Sequence, residues 1–124
     1  MIEGWNFTDA QAIAWQTLGP GVEMKPLGAA NGRMIALFRF DAGYVGASHD
    51  HRDAEFSYVL EGELISNGVT MTAGHAYAAE EGTTHDEFRS DQGATLVSVF
   101  PIPSQPGFAA EIAKDGSRRS PSHQ

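Results

Sequence analysis

Fourteen glycines punctuate this chain of 124 residues, and the runs between them are apolar, alternating and short. Runs of about four to eight residues bounded by turn formers suit strands, whereas a stable helix needs about twelve or more. Pro20-Gly21 and Gly28-Ala29-Ala30-Asn31-Gly32 flank a strand over residues 22–27. Residues 33–40 form the next, ended by Asp41-Ala42-Gly43. The clearest segment is 55–66, with Phe56, Tyr58 and Leu60 on one face and Ser57 and Val59 on the other. Asn67-Gly68 then reads as a hairpin turn, since both residues tolerate positive φ. Residues 69–72, 74–79 and 95–100 supply further strands. This pattern predicts an all-β sandwich or barrel.

The length suits one core and no second. The expected organisation is an N-terminal arm over residues 1–20, a barrel over 21–103 and a partly disordered polar extension over 104–124. In the arm, Thr8 and Gln11 resemble a helix-capping pair ahead of two turns over residues 9–16. Ile13 and Trp15 also alternate with small residues, as an arm strand would, so both conformations stay open.

Composition removes several functions. The chain has no cysteine, which excludes disulfides, thiolate metal sites and thiol catalysis. No stretch approaches the roughly 18 apolar residues of a membrane span, and Met1-Ile2-Glu3-Gly4-Trp5 lacks the pattern of a secretory leader. A cytoplasmic location without a membrane partner is the expectation. The formal charge is −8, and Lys114, Arg118 and Arg119 sit near the C-terminus. No basic face is left for phosphates, so no nucleic-acid partner is expected. Asp50, Asp53, Glu80, Glu81, Asp86 and Glu87 cluster around the histidines, a field that favours cations.

Those histidines carry the chemistry. His49 and His51 point the same way on a strand, and Glu55 shares their parity. Neutral imidazole and carboxylate suit first-row divalent metals, with a further ligand expected from another strand. His123 lies in the polar tail, and His75 opens a hairpin behind Gly74. His85 follows the turn Glu81-Gly82-Thr83-Thr84 onto a new strand and is the favoured additional ligand.

Gly43 to Gly62 reads G-x5-H-x-H-x3-E-x6-G and resembles the first motif of the cupin superfamily at every defined position. Gly74 to Arg89 reads G-x5-E-x-G-x2-H-x3-R and resembles the second, with Glu80 in place of the usual proline and Arg89 in place of the usual asparagine. The resemblance implies a double-stranded β-helix, the jelly-roll cupin barrel. It implies one divalent transition metal per chain (Fe, Mn, Ni, Co, Cu or Zn) held by His49, His51, Glu55 and His85. The segment from Trp15 to Leu27 also looks like the entry to the cupin domains of zinc-binding anti-sigma factors.

On strand parity, Glu87 and Arg89 share the inward face of His85, with Asp86 and Phe88 outward. Glu87 is then a candidate base or imidazole partner, and Arg89 a candidate carboxylate or enolate receiver. A salt bridge at the rim is the alternative. Tyr44, Tyr77, Phe38 and Phe40 are candidate cavity-lining residues. The resemblance favours a small-molecule dioxygenase acting on an enolisable carbonyl or phenolic substrate, similar to the acetylacetone-cleaving cupins. A non-oxidative isomerase, lyase or cyclase and a zinc-holding regulatory module are the alternatives. Cupin pairing further implies a homodimer, with Trp5, Phe7, Ile13 and Trp15 as interface candidates.

Overall fold

The computed structural model describes residues 2–47, 49, 50 and 54–102, with residues 49 and 50 described as strand alone. His51 and the extension over 104–124 lie outside the described residues. Eleven strands run in chain order among them: β1 (Gln16–Gly19), β2 (Val22–Ala30), β3 (Arg33–Phe40), β4 (Tyr44–Val45), β5 (His49–Asp50), β6 (Glu55–Ser66), β7 (Val69–Thr72), β8 (Ala76–Ala79), β9 (Thr84–His85), β10 (Phe88–Ser90) and β11 (Ala94–Pro101). The fold is all-β. None of the described helices is long and apolar enough to cross a membrane.

The sheet runs β1-β2-β3-β11-β6-β10-β4, with β7 and β8 added along β6, and β5 pairs separately with β9. Every ladder is antiparallel. Because β6 bonds β11 and β8 through its first half and β7 and β10 through its second, the sheet curls on itself. The inner face carries Val22, Met24, Phe38, Phe40, Val59, Leu64, Leu96 and Phe100, all buried. Burying such side chains contributes about 1.5–3 kcal/mol each.

The turn from β2 to β3 falls later than the glycine at position 28 suggests. β2 continues through Gly28, Ala29 and Ala30, and Asn31 (φ 50°) and Gly32 (φ 78°) make a two-residue turn. Both turn residues need positive φ, which Asn-Gly provides and Gly28-Ala29 does not. Asn67 (φ 52°) and Gly68 (φ 80°) make the expected hairpin between β6 and β7.

The alternation in β6 has its apolar row outside. Ser57 and Val59 are buried, while Phe56, Tyr58 and Leu60 are 44–48% exposed. Beyond Gly62 the parity flips, so that Leu64 and Ser66 face inward. The ladder to β11 shifts register between Thr95 and Leu96, and this bulge supplies the extra residue that reverses the faces.

In the arm, where helix and strand were both open, residues 10–12 form a single 3₁₀ turn (Ala10–Ala12), and Asp9 rather than Thr8 caps it, accepting from the Gln11 N–H. The chain then enters β1, so the sheet begins inside the segment read as an arm. Trp15 lies on the outer side of the sheet, with the Arg39 guanidinium 4.2 Å and the Lys25 ammonium 5.0 Å from its ring centroid. Lys25 also donates to the Ala10 carbonyl at 2.7 Å, and Asn6 bonds the Ala29 backbone through both ends of its amide.

Candidate metal centre

The short β5–β9 ladder places position 49 opposite His85. Directly opposed residues on antiparallel strands belong to one face, so the backbone brings both halves of the sequence motif to one place. Glu55 opens β6 with the parity of buried Ser57 and Val59. His85 and Glu55 therefore meet inside the barrel, with Nε2 of the imidazole 3.9 Å from Oε1 of the carboxylate.

Both side chains are held from behind. His85 is 5% exposed, and its Nδ1 lies 2.9 Å from Ser66 Oγ. The tautomer with its proton on Nδ1 donates to Ser66 and turns the Nε2 lone pair toward Glu55. The rings of Tyr77 and Phe88 stand at 83° and 62° to the imidazole, with centroids 5.8 and 4.9 Å away, and restrict its rotation. The Tyr77 hydroxyl donates to Glu55 Oε2 at 2.9 Å. Ser57 Oγ lies 3.5 Å from the same oxygen and 2.7 Å from Ser98 Oγ. Burial first, and the adjacent Glu55 carboxylate second, push the Tyr77 phenol well above its ordinary range, so it remains a donor.

This donor set fits a divalent transition metal. Ligands at about 2.0–2.2 Å from one ion can be no more than about 4.4 Å apart, and the 3.9 Å separation satisfies that limit. Each ligand also carries a hydrogen bond that orients it, the usual support of a metal-binding imidazole or carboxylate. Among the described residues no group of three such ligands occurs. His51 and the side chain of His49 lie outside that description.

Glu87 and Arg89 do not share the inward face of His85. The chain bends between β9 and β10, where Asn67 Oδ1 accepts the N–H of Asp86 at 2.7 Å and of Glu87 at 3.3 Å. That bend breaks the alternation on which the expectation rested. Phe88 faces inward instead, packing against Phe40 and Tyr44. Glu87 accepts from the Gly68 N–H at 2.8 Å and from Arg89 Nε at 3.1 Å, and Arg89 also pairs with Asp91. The Gly68 N–H and then Arg89 lower the Glu87 carboxyl below its ordinary range.

Asn67 holds the backbone around His85, a task that the sequence did not reveal. Besides turning the β6–β7 hairpin, its amide donates to the Thr84 carbonyl at 3.0 Å, so it clamps both sides of His85. An Asn-Gly turn gives no hint of this second task. Ser66 likewise carries no signal as the partner of His85. Tyr77, expected only to line a cavity, touches both Glu55 and His85.

Comparison with known proteins agrees with this architecture. The pectin degradation protein KdgF of Dickeya dadantii (strain 3937) is 26% identical over 91 residues, covering 69% of this chain and 83% of that protein. The structure of an RmlC-like cupin from Shewanella frigidimarina is 27% identical with a TM-score of 0.71, covering 82% of this chain and 94% of that one. A putative acetylacetone dioxygenase from Methylibium petroleiphilum superposes with a TM-score of 0.73 at 18% identity, over 94% and 86% of the two chains, a likeness of fold. A curled antiparallel sheet with Glu55 and His85 turned inward fits a jelly-roll barrel, and residues 5–102 match the ChrR cupin-like domain, so the chain belongs to the cupin superfamily in that family.

Proposed function

We propose that the protein is a metal-dependent enzyme acting on a small, oxygen-rich, enolisable carbonyl compound without consuming oxygen. The observation that carries the metal reading is the facing pair His85 Nε2 and Glu55 Oε1, each ligand held from behind by a hydroxyl. His49 and His51 complete the proposed set. A divalent metal bound there supplies Lewis acidity toward a carbonyl or enolate oxygen. The protein's own part is orientation. Ser66 and Tyr77 hold the two ligands, and the hydroxyls of Ser57 and Ser98 keep the floor behind Glu55 polar. The role of the Dickeya relative in pectin degradation supports a hydroxylated substrate.

A dioxygenase is the second reading, favoured by the aromatic wall of Phe40, Tyr44 and Phe88 on the other side of His85. Metal analysis by plasma mass spectrometry, joined to an oxygen electrode, separates the two. We expect one transition metal per chain and turnover of a keto sugar acid with no oxygen uptake. Oxygen consumed in step with a β-diketone or flavonol would replace this reading with the dioxygenase. Zinc without turnover would point to a regulatory module, and no metal after reconstitution would end the metal reading.

Glu87 and Arg89 belong in this proposal to the surface pair that ties the Asn67-Gly68 turn to the His85 segment. Glu87→Ala and Arg89→Ala should each keep the wild-type metal content by plasma mass spectrometry. Loss of metal from either would place that residue at the centre after all.

The proposed homodimer has a second candidate surface beside the exposed, stacked Trp5 and Phe7 of the arm. Ile35, Phe56, Tyr58 and Leu60 are 41–48% exposed on the outer sheet. The ladders align Ile35 with Val99 and Phe56, and Leu37 with Val97 and Tyr58, giving one continuous apolar face. Trp15 instead packs on its own sheet. An apolar face of this extent marks an interaction surface. Light scattering after size exclusion should give a dimer mass for the wild type and a monomer for Tyr58→Glu. A wild-type monomer at micromolar concentration would sink the pairing.

A further inference from the structure

We propose that Tyr77 is the positioning residue of this centre, fixing Glu55 through Oε2 and His85 through its ring, so that Glu55 offers Oε1 alone to the ion. The inference rests on the metal reading above. It starts from register: β8 pairs with β6 so that Tyr77 lies opposite Ser57, and Ala79 opposite Glu55. Tyr77 is thus the diagonal neighbour of Glu55 on the inner face, at a separation of about 7–8 Å that only a long side chain bridges. Its hydroxyl reaches Oε2 at 2.9 Å, while Oε1 is the oxygen turned toward His85 Nε2 at 3.9 Å. The same ring stands at 83° to the imidazole at a centroid distance of 5.8 Å. One side chain therefore sets the angle between two ligands that come from different ladders. An oxygen engaged by a phenol is a poorer second ligand, so the carboxylate is held to one-oxygen coordination.

The test is titration with Co(II) alone, against a competing chelator, of the wild type and Tyr77→Phe. The variant removes the hydroxyl and keeps the ring on His85. We expect about a tenfold loss of Co(II) affinity and a changed visible spectrum, because Glu55 gains freedom to offer both oxygens. A variant that melts lower but matches the wild type in affinity and spectrum would reduce Tyr77 to a structural role and overturn the proposal. Should Tyr77→Phe fail to fold, the infrared carboxylate bands of the wild type on Co(II) loading decide the point. Single-oxygen coordination supports the proposal, and two-oxygen coordination overturns it. A wild type that takes up no Co(II) defeats the metal reading and this inference with it, whereas normal uptake with an indistinguishable variant defeats the inference alone.

Discussion

Gly62→Ala is expected to destabilise the fold by more than about 4 kcal/mol, a loss on the scale of the whole stability of a small domain. Gly62 sits where β6 leaves its ladder with β11 and β8 and joins β7 and β10. Its φ is +83°, and a Cβ there would lie 2.1 Å from the Gly93 carbonyl oxygen and 2.7 Å from Ala94 Cα. Those are backbone atoms, and Gly93 O is itself bound to the Glu63 N–H at 2.9 Å, so neither strand can yield without breaking the corner. Gly68→Ala is the internal control. Its φ of +80° is nearly the same, but a Cβ meets nothing within 4 Å. The control carries only the conformational penalty, about 1–2 kcal/mol. Thermal melts and urea titrations of both variants measure the difference. Equal losses would show that the corner relaxes and that the close approach constrains nothing.

His85→Ala should empty the site, with metal affinity falling at least a hundredfold or so. Losing a partner that only orients a ligand typically costs about ten- to a hundredfold, and loss of the ligand itself should exceed that. Ser66→Ala is the matching comparison, since it removes the Nδ1 contact and leaves Nε2 in place; about a tenfold loss is expected there. Plasma mass spectrometry on dialysed protein, with chelator competition for the constant, reads both. The His85 cavity opens between Tyr77 and Phe88, so apo His85→Ala will also melt lower. Metal retained at wild-type stoichiometry would show the ligand assignment to be wrong, whatever the stability.

These two variants probe different levels of the two motifs, Gly62 closing the first and His85 belonging to the second. Gly62 is required by the backbone, whereas the histidines and Glu55 are required by the proposed chemistry. Strand β6 carries both Glu55, at its start, and Gly62, at the corner. That linkage places the proposed metal chemistry and barrel closure on one stretch of chain.

Much of this was legible from local patterns. Short alternating runs between glycines specify strands because periodicity and φ are properties of neighbouring residues. The Asn67-Gly68 hairpin, the final strand near 95–100 and the shared parity of Glu55 with Ser57 all follow from that. The cupin motifs added the family. What local patterns could not specify was which face of a strand becomes the inside. Phe56, Tyr58 and Leu60 form the more apolar row, yet Ser57 is buried because Ser98 across the ladder satisfies its hydroxyl. The bend after His85 is equally non-local: it is made by Asn67, 19 residues away from Asp86, and it turned Glu87 and Arg89 away from the expected face. By itself the sequence determined strands, turns and candidate ligands, whose causes are short-range. Only the tertiary structure decided burial, parity across bulges and the partners that hold each candidate ligand, because those depend on hydrogen bonds and packing between distant segments.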